Sequence, residues 1–232
     1  MRYAIYFMPR SNSALWQFGS AVLGYDAAGR REVLPPAGLD LAIPCLHDWT
    51  SEPRRYGFHA TLKAPFALAE GCGEDDLLHH ARRFAAARLA FEEPPLRLAS
   101  LGGFLALMLA QPSSHVTALA DDAVTSFDHF RAPLSAQDRA RRLTRPLPPR
   151  QMQQLERWGY PHVFEDFTFH MTLSNQLEPG DNARMQAALA LAYAPLTQPL
   201  LFDGMAVFVQ PAPQARFRVL EWLEFGGDTA GG

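Results

Sequence analysis

"RRYGFHATLKAPF", residues 54–66, and "EDFTFHMTLSNQL", residues 165–177, share the pattern Phe-His-x-Thr-Leu, with His170 standing 111 positions after His59. Each stretch reads as a strand, along which successive side chains point to opposite faces of a sheet. His59, Thr61 and Lys63 then share one face of the first strand, opposite Phe58, Ala60, Leu62 and Ala64. His170, Thr172 and Ser174 share a face of the second, opposite Phe169, Met171 and Leu173. If the two halves of the chain face each other, two imidazoles and two hydroxyls line one cleft. "HVTA" at His115 carries the same two polar residues but falls in a helical stretch, where i and i+2 do not share a face, so His115 is read as structural or exposed.

The surroundings of the two stretches follow a common order. In the first half the strand is followed by a helix from about Glu74 to Leu89, opened by acids that suit its N-terminus, and by the short strands "LRLASL" and "FLALMLA" across Gly102 and Gly103. In the second half "FTFHMTLSN" leads into the helix "GDNARMQAALALAYA", then the strands "PLLFDGMAVFVQ" and "ARFRVLEWLEF". Two repeats are too few for a solenoid, so the expected fold is α+β: a pseudo-twofold duplication with antiparallel sheets, flanking helices and a central cleft. The expected organisation is a single bilobal domain over 1–232. A first lobe covers roughly 25–130, a helical insert roughly 131–160, and a second lobe roughly 161–225, with the N-terminal strand 3–8 packing into one of the sheets. Residues 24–53 are rich in Gly and Pro and read as a long loop, and the Gly-rich tail beyond Phe225 reads as frayed.

The chain has 232 residues, 48% of them hydrophobic and 19% charged, which suits a globular protein with a sizeable core. No apolar run approaches the roughly 20 residues that span a bilayer, and the N-terminus lacks the pattern of a signal peptide, so a cytoplasmic location is expected. Cys45 and Cys72 have no paired-ligand spacing and are read as free thiols. A formal charge of −3 offers no general attraction for polyanions and favours a small phosphorylated ligand over long RNA. Lys63 is the one lysine among 21 basic residues, a hint that a compact ammonium is wanted there.

Two imidazoles around a phosphorus centre can divide acid and base roles, one neutral and accepting a proton, the other charged and donating one. Threonine hydroxyls can bond non-bridging oxygens as charge develops on them. Neither role calls for a metal or cofactor, and the spacing offers no zinc pattern.

Two His-x-Thr motifs, one per half of a duplicated α+β chain, resemble the 2H phosphoesterase superfamily, which includes cyclic phosphodiesterases and RNA 2′–5′ ligase-like proteins. The fuller wording "RYGFHATLKAPF" with "WGYPHVFEDFTFHMTLSNQL" resembles its uncharacterised branch associated with bacterial phosphonate-utilisation operons. The resemblance implies a bilobal fold and metal-independent hydrolysis of a cyclic phosphodiester on a ribose-like sugar. It also implies catalysis by His59 and His170 and phosphate contacts from Thr61 and Thr172. The motif spacing is long for the superfamily, which the insert near 131–160 accounts for. Lys63 against Ser174 makes the site asymmetric, and Lys63 is expected on a substrate phosphate or beside a His that it keeps neutral. Tyr56, Arg55 and Ser174 are further candidate substrate contacts, and the run Arg139, Arg141, Arg142, Arg145 and Arg150 reads as a solvated helix face or a phosphate-gripping lid. His47 and His162 lie in loops and are left outside the catalytic set. Two other classes stay open: a non-catalytic module that holds a phosphorylated ligand, and RNA end-processing or ligation along a basic channel. The oligomeric state is not indicated.

Overall fold

The run "RYAIYF" is apolar at nearly every position rather than at alternate ones, the mark of a strand covered on both faces. It forms β1 (Arg2–Phe7), which is buried from Tyr3 onward and sits near the middle of a seven-stranded sheet. A computed structural model describes residues 1–143 and 146–226 of the chain, so the Gly-rich end from 227, read as frayed, lies outside the described residues.

In chain order, β1 is followed by α1 (Ala14–Leu23), the hairpin of β2 (Tyr25–Asp26) and β3 (Arg31–Glu32), and the one-turn helices α2 (Leu39–Ala42), α3 (Leu46–Trp49) and α4 (Ser51–Arg54). Then come β4 (Ala60–Phe66), α5 (Glu74–Ala86), β5 (Phe91–Glu93), β6 (Arg97–Leu101), β7 (Phe104–Met108) and α6 (Ser114–Ser126). The chain continues through α7 (Ala136–Arg142), α8 (Pro149–Trp158), β8 (His170–Thr172), α9 (Pro179–Tyr193), β9 (Leu200–Phe202), β10 (Gly204–Gln210) and β11 (Arg218–Glu224).

The main sheet runs β11-β10-β1-β4-β8-β7-β6, with every neighbouring pair antiparallel. Helix α6 packs against β4, α5 against β10 and β11, and α9 against β6 and β7. The fold is thus α+β, antiparallel strands flanked by helices. The strand from the N-terminus lies between β10 and β4, and the two His-bearing strands are neighbours within one continuous sheet.

Residues 24–53, expected to be a loop, carry one hairpin and three short helices. Buried Arg54 organises them: it donates to the Leu23 carbonyl at 2.6 Å and also to the His47 carbonyl and the Thr50 hydroxyl. Those bonds satisfy a buried guanidinium and fix where the chain turns into the first motif.

The first motif strand is not a regular ribbon. Tyr6 pairs with Thr61, but the next residue of β1, Ile5, pairs with Lys63. Two residues of β4 therefore oppose one step of β1, a bulge that turns Lys63 to the other face, and a second irregularity follows between the Ile5–Lys63 and Tyr3–Phe66 pairs. Lys63 does not share the face of His59 and Thr61. It is buried under α6, with Nζ donating to the Val124 carbonyl at 2.8 Å and to Asp128 Oδ1 at 3.2 Å.

Candidate functional site

Gly57 sets the first histidine. Its φ of +79° lies in the left-handed region, and a Cβ there would stand 2.7 Å from that of Ala27, so only glycine fits without strain. The Gly57 carbonyl receives His59 Nδ1 at 2.8 Å. In the second motif the Thr168 carbonyl receives His170 Nδ1 at 2.7 Å, the same two-residue reach. A carbonyl can only accept, so each Nδ1 carries the proton and each Nε2 is left as the acceptor of a neutral ring.

Ala60 pairs with Met171 across β4 and β8. One residue to either side, the register sets His59 beside Thr172 and Thr61 beside His170. The four side chains line one cleft of about 520 Å³, a size that suits a small phosphorylated metabolite. Thr61 Oγ1 lies 3.3 Å from His59 Nε2. The His59 ring stacks on Tyr6, with centroids 3.7 Å apart and planes 19° apart, and the His170 ring lies 5.7 Å from Phe104.

Burial lowers the pKa of His59 to about 4, against the bond to Gly57, which favours the charged ring, and with a further push from His170. Burial also lowers His170, again opposed by its carbonyl partner and aided by His162. The sequence suggested one charged and one neutral ring, but in the free protein at neutral pH both are neutral.

Among the other expected contacts, Tyr56 lines the cleft and stacks on Phe217. Ser174 also lines it, but its hydroxyl accepts from Leu105 N at 2.9 Å and donates to the Asn175 carbonyl at 2.7 Å. Arg55 is not among the cleft residues; its side chain reaches Glu52 at 3.8 Å. Lys63 is also outside the cleft. Its pKa is lowered to about 8 by burial, with Asp128 opposing that shift, and Lys63 does not act on either catalytic candidate. Among the described residues of the arginine run, Arg139 pairs with Glu156 and Arg150 with Asp166. Arg142 reaches the cleft, while Arg145 and the side chain of Arg141 lie outside the described residues. His115 is exposed on α6, 3.9 Å from Glu93.

Sequence reasoning missed Tyr6, Phe104, Tyr160 and Arg2 as cleft residues, and it set His162 aside although His162 lines the wall. Tyr6 had a weak signal, a phenol in a mostly apolar central strand, one that Tyr3 of the same strand shares while bonding to Glu74 instead. The others come from elements whose meeting only the sheet order reveals.

The strand pair thus presents two imidazoles and two hydroxyls to one cleft on an α+β scaffold. The chain belongs to the family described as "Protein of unknown function (DUF1045)", whose model matches residues 61–218. It is 38% identical over 231 residues to a protein of Janthinobacterium sp. (strain Marseille) named ribose 1,5-bisphosphate phosphokinase PhnN, covering 97% of this chain and 51% of that one. A protein of the same name from Laribacter hongkongensis (strain HLHK9) is 40% identical over 233 residues, covering 99% of this chain and 54% of that one. The chain spans about half the length of the curated relatives it matches. The crystal structure of TT0787 of Thermus thermophilus superposes with a TM-score of 0.45 at 16% identity, covering 98% of this chain and 100% of that one.

The relatives' names overturn one expectation. A phosphokinase is a transferase, so the reading of the chain as a hydrolase, a cyclic phosphodiesterase, is corrected. Among the described residues no helix is long and apolar enough to cross a membrane.

Proposed function

We propose that the cleft binds a phosphorylated ribose and handles protons at its phosphate oxygens during phosphoryl transfer. Thr61 and Thr172 donate to the non-bridging oxygens, while His59 and His170 act as proton acceptor and donor. The observation that carries this is the pairing of Ala60 with Met171, which supports the two motifs lying side by side with neither Nε2 spent on the backbone and that of His59 within 3.3 Å of the Thr61 hydroxyl.

The same pairing supports reading β4 and β8 as the axis of a pseudo-twofold duplication, with the 131–160 segment as an insert between lobes 25–130 and 161–225. It also supports the resemblance to the two-motif site of the 2H superfamily, and a cytoplasmic role in phosphonate utilisation belongs to this proposal. We assign the nucleotide side of the phosphokinase activity named for the relatives to the length that this chain does not span. The one lysine here is buried on Asp128 and stands in Thr-Leu-Lys-Ala. It is not at the end of a glycine-rich loop of the kind that cradles nucleotide phosphates.

Calorimetry with ribose 5-phosphate and ribose 1,5-bisphosphate, with phosphorus NMR of the same mixtures with and without ATP, tests the reading. Binding by the wild type, weakened at least tenfold in both His59→Ala and His170→Ala, is expected. Failure of both sugar phosphates to bind would overturn it.

A further inference from the structure

The two motifs occupy only part of the cleft. The opposite wall comes from the segment after α8 and the end of α7. There Arg142 lies over the Tyr160 ring with its guanidinium carbon 4.8 Å from the centroid, and the His162 ring is 5.5 Å from that of Tyr160. Arg2 joins from β1, its Nε donating to Gln210 Oε1 at 2.8 Å. The fields of Arg2 and Arg142 both reach Tyr6, the ring on which His59 stacks. Arg142 also acts on His162, and His162 on His170. The arginines thus act on groups that adjoin the motif histidines: Tyr6, on which His59 stacks, and His162, which acts on His170. Two acids, Glu52 and Asp138, line the same cleft. Asp138 precedes Arg142 by four residues on α7, a spacing that suits an ion pair along a helix. A planar guanidinium has five donors and can serve such a neighbour and a phosphate together.

We propose that Arg142 and His162, with Arg2 at the entrance, form a second anion subsite of this cleft, so that the preferred ligand carries two phosphate groups. One phosphate rests on the His-x-Thr pair and the other on the arginine wall. The proposal rests on the reading of the cleft as a phosphorylated-ribose site and adds what that reading leaves open, the number of anionic groups.

The test compares ribose 1,5-bisphosphate with ribose 5-phosphate by calorimetry in the full chain at fixed salt. The wild type is expected to favour the bisphosphate by about tenfold or more, the scale of one added charge-assisted contact. Arg142→Gln is expected to collapse that ratio towards one, and His162→Ala, at an exposed position, to reduce it in the same direction without risk to the fold. His59→Ala should weaken both ligands and leave a preference. A wild-type ratio near one, with both sugars bound, overturns the second subsite while the proposed function stands. An Arg142→Gln variant that weakens both ligands alike also overturns it. Absence of binding by either sugar removes the proposed function and this inference together.

Discussion

The two copies of Phe-His-x-Thr-Leu begin alike and end differently. Both histidines send Nδ1 to the carbonyl two residues earlier, and both stand beside the other copy's threonine across β4 and β8. Four residues after the histidine they part. In β4 a bulge follows Thr61 and turns Lys63 under α6. In the second copy the named strand stops at Thr172, and Ser174 stays at the cleft wall with its hydroxyl spent on Leu105 N and the Asn175 carbonyl. The shared part is the part that faces the cleft. The divergent part fastens each strand to different neighbours, β4 to a helix and β8 to β7.

The largest effect expected from breaking that difference lies at Asp128, which accepts from Lys63, Arg131 and Arg157. Burial alone pushes the Asp128 carboxyl up, but the bonds from Arg131 and Lys63 outweigh it and leave its pKa below the ordinary value. Asp128→Ala strands a buried ammonium and is expected to cost about 3–5 kcal/mol in urea unfolding. Lys63→Met leaves Asp128 with two arginines and should cost under about 1.5 kcal/mol. If Lys63→Met proved the more damaging, the anchoring role given to this cluster would be wrong. In the second copy, Ser174→Ala leaves the buried Leu105 amide without its partner, an expected loss of about 1–3 kcal/mol.

The histidines offer a pH test of the shared part. An unfolded imidazole takes up its proton near pH 6.5, whereas folded His59 does so only near pH 4. Between those values the unfolded chain binds more protons, so stability falls as pH drops from about 6.5 to about 4. His59→Gln should remove that component, making the decline shallower than in the wild type across the same window. Equal slopes for the two proteins would show that His59 is not held neutral.

Much of this was legible in the sequence because it depends on alternation. The alternation of 58–62 and 169–173 and the helix opened by Glu74, Asp75 and Asp76 are local signals that the fold keeps. Alternation also misled at Lys63, because a bulge adds one residue that no composition rule marks and turns the residue after it to the other face. The arginines at the cleft were legible only in part: Arg142 stood in the run read as a solvated face or a phosphate-gripping lid, whereas Arg2 joins it only through the sheet order and the placement of α7. The hydrolase reading fails against the relatives' phosphokinase name because the same imidazoles and hydroxyls suit more than one reaction at phosphorus, and the motif does not say which.

The smallest expected effect sharpens the comparison at the residues leading into the first copy. Arg55 contributes through its backbone, where its carbonyl accepts from Phe217 N at 2.7 Å, and alanine keeps that carbonyl. Its side chain makes only the 3.8 Å pair with Glu52, with both partners well exposed, an interaction worth at most about 0.5 kcal/mol. Arg55→Ala should therefore leave the unfolding midpoint and the affinity for ribose 5-phosphate within error of the wild type. Tyr56→Ala, one residue on, removes a ring that lines the cleft and stacks on Phe217, and it should weaken the same ligand severalfold. Should Arg55→Ala weaken binding as much as Tyr56→Ala, the guanidinium must swing into the cleft when the sugar phosphate is bound. The first copy would then carry a ligand contact that nothing in the second copy matches.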